Sequence, residues 1–139
     1  MGPERALSLL ALARKGGNIQ LGEESTGAAC RAGHARLILV AQDAADNAFR
    51  RARSFSGGGR IPFLRVPFGK EALGRACGRA VCAMAALTDV SLALAFVKAL
   101  EQPERHEALL ADLETRVLRV QKRRQEERAH RNNVKHGKK

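Results

Sequence analysis

Four short apolar segments alternating with helical ones predict an α/β sandwich. Three observations carry this reading. Leu37-Ile38-Leu39-Val40 is apolar without alternation, as in a strand covered on both faces. Ala80 to Leu87 has the same character further along the chain. The intervening stretches place apolar residues at helical spacing and are separated by short, glycine-bearing turns.

The elements follow in order. A first helix is predicted over Pro3 to Lys15: proline suits a first helical position, Leu7, Leu10 and Ala13 share a face, and Gly16-Gly17 stops the helix. A short strand follows over Asn18 to Leu21. Gly22 opens the second helix, with Glu23 and Glu24 in its first turn, where the helix dipole favours negative charge. Ala28, Ala29 and Cys30 give this helix a thin apolar face, and Gly33 closes it. Arg36 to Ala41 is the buried strand. Asp43 to Ser56 is an alanine-rich helix with Arg50, Arg51 and Arg53 outward. Gly57-Gly58-Gly59 is a flexible break. Pro62 to Val66 is read as an edge strand, since proline cannot donate to an interior ladder. Gly69 to Ala76 is a short helix and Ala80 to Leu87 a buried strand. Thr88 then caps a helix to about Leu100, with Asp89 in its first turn. Pro103 opens a last helix, on which Leu110, Leu113, Val117 and Val120 form an apolar stripe that ends at Gln121. The expected organisation is an α/β domain over residues 1–102, an amphipathic then basic helix over 103–131, and a disordered basic tail over 132–139.

The 139 residues are 45% hydrophobic, enough for one core. Lys and Arg number 25 against 14 Asp and Glu, a net charge of +11. A chain this basic is expected to meet a polyanion, because its cations displace counterions from phosphates. Residues 1–100 carry 14 basic and 7 acidic side chains, so the body is basic by itself. From Val120 onward there are 8 basic and 2 acidic residues, a second basic element. That extension reads equally as a solvated run or as a non-specific phosphate clamp.

Cys30, Cys77 and Cys82 form no Cys-x-x-Cys pair and read as small buried thiols in a reducing compartment. His34, His106, His130 and His136 are scattered, and no metal site or cofactor is expected. No nucleophile–base pairing suggests an enzyme. No signal peptide is visible, and no apolar run reaches the ~20 residues a membrane helix needs, so a cytoplasmic protein without membrane contact is expected.

Two segments carry the candidate binding chemistry. A helix beginning at Gly22 exposes unpaired N–H groups, and a residue without Cβ lets another backbone approach. The same glycine would equally serve as a plain strand-to-helix turn. Leu73-Gly74-Arg75-Ala76-Cys77-Gly78-Arg79-Ala80 sets Gly78-Arg79 in a tight loop between helix and strand. There Arg79 could pair with phosphate or stack on a base, although a helix cap with a solvated arginine is the plainer reading of that segment alone.

Together these segments resemble the kink-turn RNA-binding ribosomal proteins of the L7Ae/L30e family. The likeness covers about Ala6 to Val97 in register: the Gly22 helix start, Gly33-x-Ala35-x-Leu37, Ala41-x-Asp43 and Leu73-Gly74-x-Ala76-x-Gly78. Ala13-Arg14-Lys15-Gly16-Gly17 and Leu87-Thr88-Asp89 look most like the short bacterial members. The resemblance implies a three-layer α/β/α sandwich around a mixed four-stranded sheet, here with an extra C-terminal helix. It implies an RNA-binding surface of Gly22, Glu23, Glu24 and Ser25, with Gly78, Arg79 and Ala80 opposite. High-affinity members have Asn-Glu where this chain has Glu24-Ser25, and lysine where it has Ala28. Those polar residues read sheared G·A pairs in sharply bent RNA. Glu24 accepts hydrogen bonds but cannot donate them, and Ala28 removes a cation. Arg14, Lys15, Arg31, Arg36 and Arg79 would compensate if the fold places them on one face. The implied function is non-enzymatic binding of structured RNA, ribosomal in association. The alternative is a protein–protein adaptor on the same fold, docking through the helix at 103–120.

Overall fold

The computed structural model describes the backbone of residues 2–136 and the side chains of residues 4–132. The elements, in chain order, are α1 (Gly2–Lys15), β1 (Ile19–Leu21), α2 (Glu23–Arg31), β2 (Leu37–Ala41), α3 (Asp46–Ser56), β3 (Phe63–Val66), α4 (Lys70–Ala76), β4 (Met84–Leu87), α5 (Val90–Ala99) and α6 (Glu107–His136). The strands form one mixed sheet in the order β1-β4-β2-β3. β4 is antiparallel to both of its neighbours, and β2 and β3 are parallel. Leu21 pairs with Ala85, Val40 with Met84 and Ala41 with Val66, so one end of the sheet gathers the ends of β1, β2 and β3 with the start of β4. The opposite end gathers Ile19, Leu37, Leu87 and the approach to β3.

The unbroken apolar run of β2 follows from cover on both faces. Leu37, Leu39 and Ala41 enter the main core with Ala6, Leu10 and Ala13 of α1, Leu73 of α4 and Phe96 of α5. Ile38 and Val40 enter a second core with Met84 and Ala52 of α3. The result is a three-layer α/β/α sandwich, with α2 and α3 on one face and α1, α4, α5 and the first half of α6 on the other. β3 lies at an edge, where Pro62 leaves no interior ladder bond unmade.

Several boundaries differ from the sequence reading, each for a tertiary reason. The third helix starts at Asp46, because Asp43 turns instead to the start of α4 and accepts a hydrogen bond from the Lys70 N–H at 2.8 Å. The last strand starts at Met84 rather than Ala80. Residues 80–83 form a loop laid over α4, with the Cys82 N–H bonded to the Lys70 carbonyl at 2.9 Å. A Cβ on Gly74 would stand 2.8 Å from Val81 Cα, so this close approach of loop backbone to helix requires glycine. Asp89, not Thr88, caps α5, its carboxylate accepting from the Leu92 N–H at 2.9 Å.

The C-terminal helix starts at Glu107 rather than Pro103, since residues 103–106 are used in turns. It continues to His136, and neither glycine nor proline interrupts it before Gly137. Of the tail expected to be disordered over 132–139, residues 132–136 thus continue the helix, and 137–139 lie outside the described residues. Leu113 is fully buried in the main core, and Leu109, Leu110, Val117 and Val120 pack against it. The stripe expected as a protein-docking face is therefore covered by the domain itself. The reason lies in α5, whose sequence Val-Ser-Leu-Ala-Leu-Ala-Phe-Val-Lys-Ala is apolar nearly all round and needs cover on its outer side.

Candidate functional site

Gly22 links β1 to α2. Its N–H donates to the Met84 carbonyl at 2.8 Å, and its carbonyl accepts from the Thr26 N–H at 2.9 Å. Its φ of 93° and ψ of 163° lie in a region open in practice only to glycine. The first α2 residues, Glu23, Glu24 and Ser25, have N–H groups without intrahelical acceptors, and no side chain caps them. The helix start is therefore presented bare, with its partial positive charge, at the end of the sheet where β4 begins.

The loop between α4 and β4 stands beside it. Gly78 has a φ of 75°, and Gly78, Arg79 and Ala80 are exposed. Nη1 of Arg79 lies 4.0 Å from where a Cβ on Gly22 would stand. The loop is anchored by the Arg79 N–H on the Gly74 carbonyl at 2.8 Å and by Arg14, whose Nη1 donates to the Cys77 carbonyl at 3.2 Å. The structure thus brings Gly22, the first turn of α2, Gly78-Arg79-Ala80 and Arg14 to one surface.

Two thiols lie under this surface. Burial, with Cys82 nearby, pushes Cys77 up to about 11, against the pull of Arg14 and Arg79. Burial also raises Cys82, against the Gly22 and Met84 backbone and Arg79. Both are neutral at pH 7 and serve as packing, and the Cys82 thiol donates to the Met84 carbonyl at 3.2 Å.

The remaining expected residues divide. Glu23 forms an ion pair with Arg51 of α3 at 2.7 Å, so one of the two carboxylates at the helix start is already partnered. Glu23, Glu24 and Arg31 line a groove between α2 and α3 together with Arg51 and Phe55. Gly27 lets the helices approach there: a Cβ on it would stand 2.8 Å from Phe55 Cζ. On the other side of α2, Ser25 and Ala28 line a shallow groove of about 560 Å³ that runs to Arg36 and Thr88. Arg36 does not join Arg79. Its N–H pairs with the Leu87 carbonyl at the opposite end of the sheet, and its guanidinium donates to the Gly33 carbonyl at 3.0 Å. Lys15 is exposed in the last turn of α1, next to Arg14.

Two features were not legible in the sequence. Val81, expected inside a buried strand, is 57% exposed on the loop beside Arg79. Arg65 of β3 spreads its guanidinium over Phe49, 5.3 Å from the ring centroid, and donates to the Gln42 carbonyl at 2.6 Å. With Arg50 and Arg53 it makes a cationic patch beside the same end of the sheet. A lone arginine in a short strand carries no pattern that would reveal this. Among the described residues, no group of three His, Cys, Asp or Glu side chains is placed to hold a metal ion. Among the same residues, no helix is long and apolar enough to cross a membrane.

Residues 4–93 match the model of the Ribosomal protein L7Ae/L30e/S12e/Gadd45 family. The chain belongs to this family. The matched span runs from α1 into α5, contains both halves of the surface above and leaves α6 outside. A protein of unknown function from Bacillus halodurans has a similar structure, with a TM-score of 0.64 and 25% identity over 70% of this chain and 97% of that one. The Giardia lamblia 15.5kD RNA binding protein aligns with a TM-score of 0.55 and 22% identity over 71% of this chain and 84% of its own. At that identity the second likeness is one of fold.

Proposed function

We propose that this protein is a non-enzymatic, cytoplasmic binder of structured RNA, ribosome-associated and directed at sharply bent, kink-turn-like segments. The observation that carries the proposal is the bare helix start at Gly22 with Arg79 facing it. Backbone N–H groups, a residue without Cβ and a guanidinium converge there on a space that suits a sugar-phosphate backbone. Membership of the L7Ae/L30e family supports the reading, as does the name of the Giardia neighbour. So does the charge of +11. Arg51 partners Glu23, which leaves Glu24 exposed to accept hydrogen bonds from base amino groups, such as those of sheared G·A pairs.

The test is a titration of two RNAs of equal length at several salt concentrations. One is a plain duplex and the other carries an internal loop with tandem G·A pairs. The looped RNA should bind more tightly. With about four phosphate contacts, affinity should fall roughly a hundredfold between 50 and 200 mM salt. Equal binding of the two RNAs would refute recognition of bent RNA, and no binding at low salt would refute the RNA reading itself.

A further inference from the structure

Helix α6 lies outside the span that matches the family, and only its first half has a place in the core. Leu110, Leu113, Val117 and Val120 face the domain at helical spacing. Helical spacing continues along the same face with Arg124, Arg128 and Arg131, and Glu127 falls among them. From Gln121 to Asn132 every residue is exposed. One helix face thus changes from apolar to cationic at the point where the helix leaves the body. Lys122 and Arg123 add charge beside the stripe, and with Glu126 and Glu127 counted residues 121–132 still carry five basic side chains against two acidic ones.

The direction of the helix follows from its contacts. Gln102, Arg105 and His106, just before α6, lie beside Gln42, Val66 and Pro67 at the Gly22 end of the sheet. Further along, Nη2 of Arg116 donates to the Arg60 carbonyl at 3.3 Å. Arg60 lies in the approach to β3, at the opposite end. The helix therefore runs the length of the sheet and carries its free half away from Gly22 and Arg79. At 1.5 Å per residue, Arg131 lies roughly 22 Å beyond Arg116 along the axis.

The stripe selects its partner by charge. It offers no apolar seam for a second copy of the chain, and facing arginines would repel. Guanidinium groups spaced one helical turn apart match successive phosphates in charge and in bidentate geometry.

We propose that the distal half of α6 is a second RNA contact, a cationic arm that holds the phosphate backbone of a helical segment away from the one seated at Gly22. This rests on the RNA-binding reading above, and it makes the protein a two-point clamp.

The test uses the full chain, its R124E/R128E/R131E variant and its Arg79→Ala variant. The probes are a tandem-G·A loop RNA with both stems cut to about five base pairs, and the same loop with both stems extended to about twenty-five. On the long RNA, the triple variant should bind at least about tenfold more weakly, with a salt slope shallower by about 2 to 3. On the short RNA it should bind like the parent. Arg79→Ala should weaken both. If the triple variant keeps the parent's affinity and slope on the long RNA while Arg79→Ala weakens both probes, the arm proposal falls, the Gly22 reading stands, and an acidic protein becomes the arm's partner. Equal losses on both probes would overturn the two-point geometry. If the parent binds neither RNA, both readings fall. The three arginines are exposed on a helix surface, so circular dichroism should show the variant folded like the parent.

Discussion

Replacing Gly22 with alanine separates backbone strain from RNA contact. At φ 93° and ψ 163°, a residue bearing Cβ costs about 1–3 kcal/mol. Crowding adds little, since the nearest atom to the new methyl is Arg79 Nη1 at 4.0 Å. At roughly 4 °C per kcal/mol for a domain of this size, the melting midpoint should drop by about 4–12 °C. Gly33→Ala is the matched control. Its φ is 76°, its Cβ would meet nothing within 4 Å, and it closes α2 at the end far from Gly22. Left-handed strain there costs about 1–2 kcal/mol. Circular dichroism melts should therefore show both variants destabilised. RNA titration well below both midpoints should then distinguish them. Gly22→Ala places a methyl where the RNA backbone approaches and should lose about 1–3 kcal/mol of binding, roughly 5- to 150-fold. Gly33→Ala should bind like the parent. Equal RNA affinities for the two variants would refute the placement of the site, and an unchanged melt for Gly22→Ala would refute the strain argument.

Other outcomes follow from the packing. Leu113→Ala should cost about 2–5 kcal/mol in chemical denaturation because the side chain is fully buried, and a chain ending at residue 102 should melt well below the parent. A parent-like melt of that truncation would show that the domain needs no cover from α6. Asp43→Ala should lose about 1 kcal/mol by removing the acceptor of the Lys70 N–H, while Asp43→Asn should keep most of it, as thermal unfolding would show. Burial raises Cys77 from 9.0 to about 11, so its contribution to stability is present below pH 9 and is lost as pH rises through 11. Denaturation midpoints should decline across that window, and Cys77→Ala should flatten the decline. An identical pH profile in the variant would assign the decline to other groups.

Local chemistry made much of this protein legible in advance. The double-sided burial of β2 is written in Leu37-Ile38-Leu39-Val40, because cover on both faces removes the polar alternation. Pro62 marks an edge because proline lacks an N–H for the ladder, and Gly22 marks a helix start because glycine alone readily takes the backbone conformation needed there. These signals act between neighbours in the chain, where spacing alone reveals them. The first half of the last helix was legible too, as a stripe at helical spacing, although what the stripe faces was not.

Tertiary structure decided what depends on distant partners. The turn of Asp43 towards α4 depends on Lys70, 27 residues away, and that pairing delays the start of α3. Arg14 reaches the loop before β4 across 63 residues, and Arg51 folds over to partner Glu23 from the next helix. Arg36, as basic as Arg79 in sequence, goes to the other end of the sheet because its N–H completes the ladder at Leu87. What the sequence determined by itself is the set of elements, their burial and the strong positive charge, all of which follow from residue type and short-range spacing. Only the fold decided which cations share a surface with Gly22, and that the apolar stripe of α6 is covered by α5 while its arginines stand free, because both depend on which distant segments the sheet order brings together.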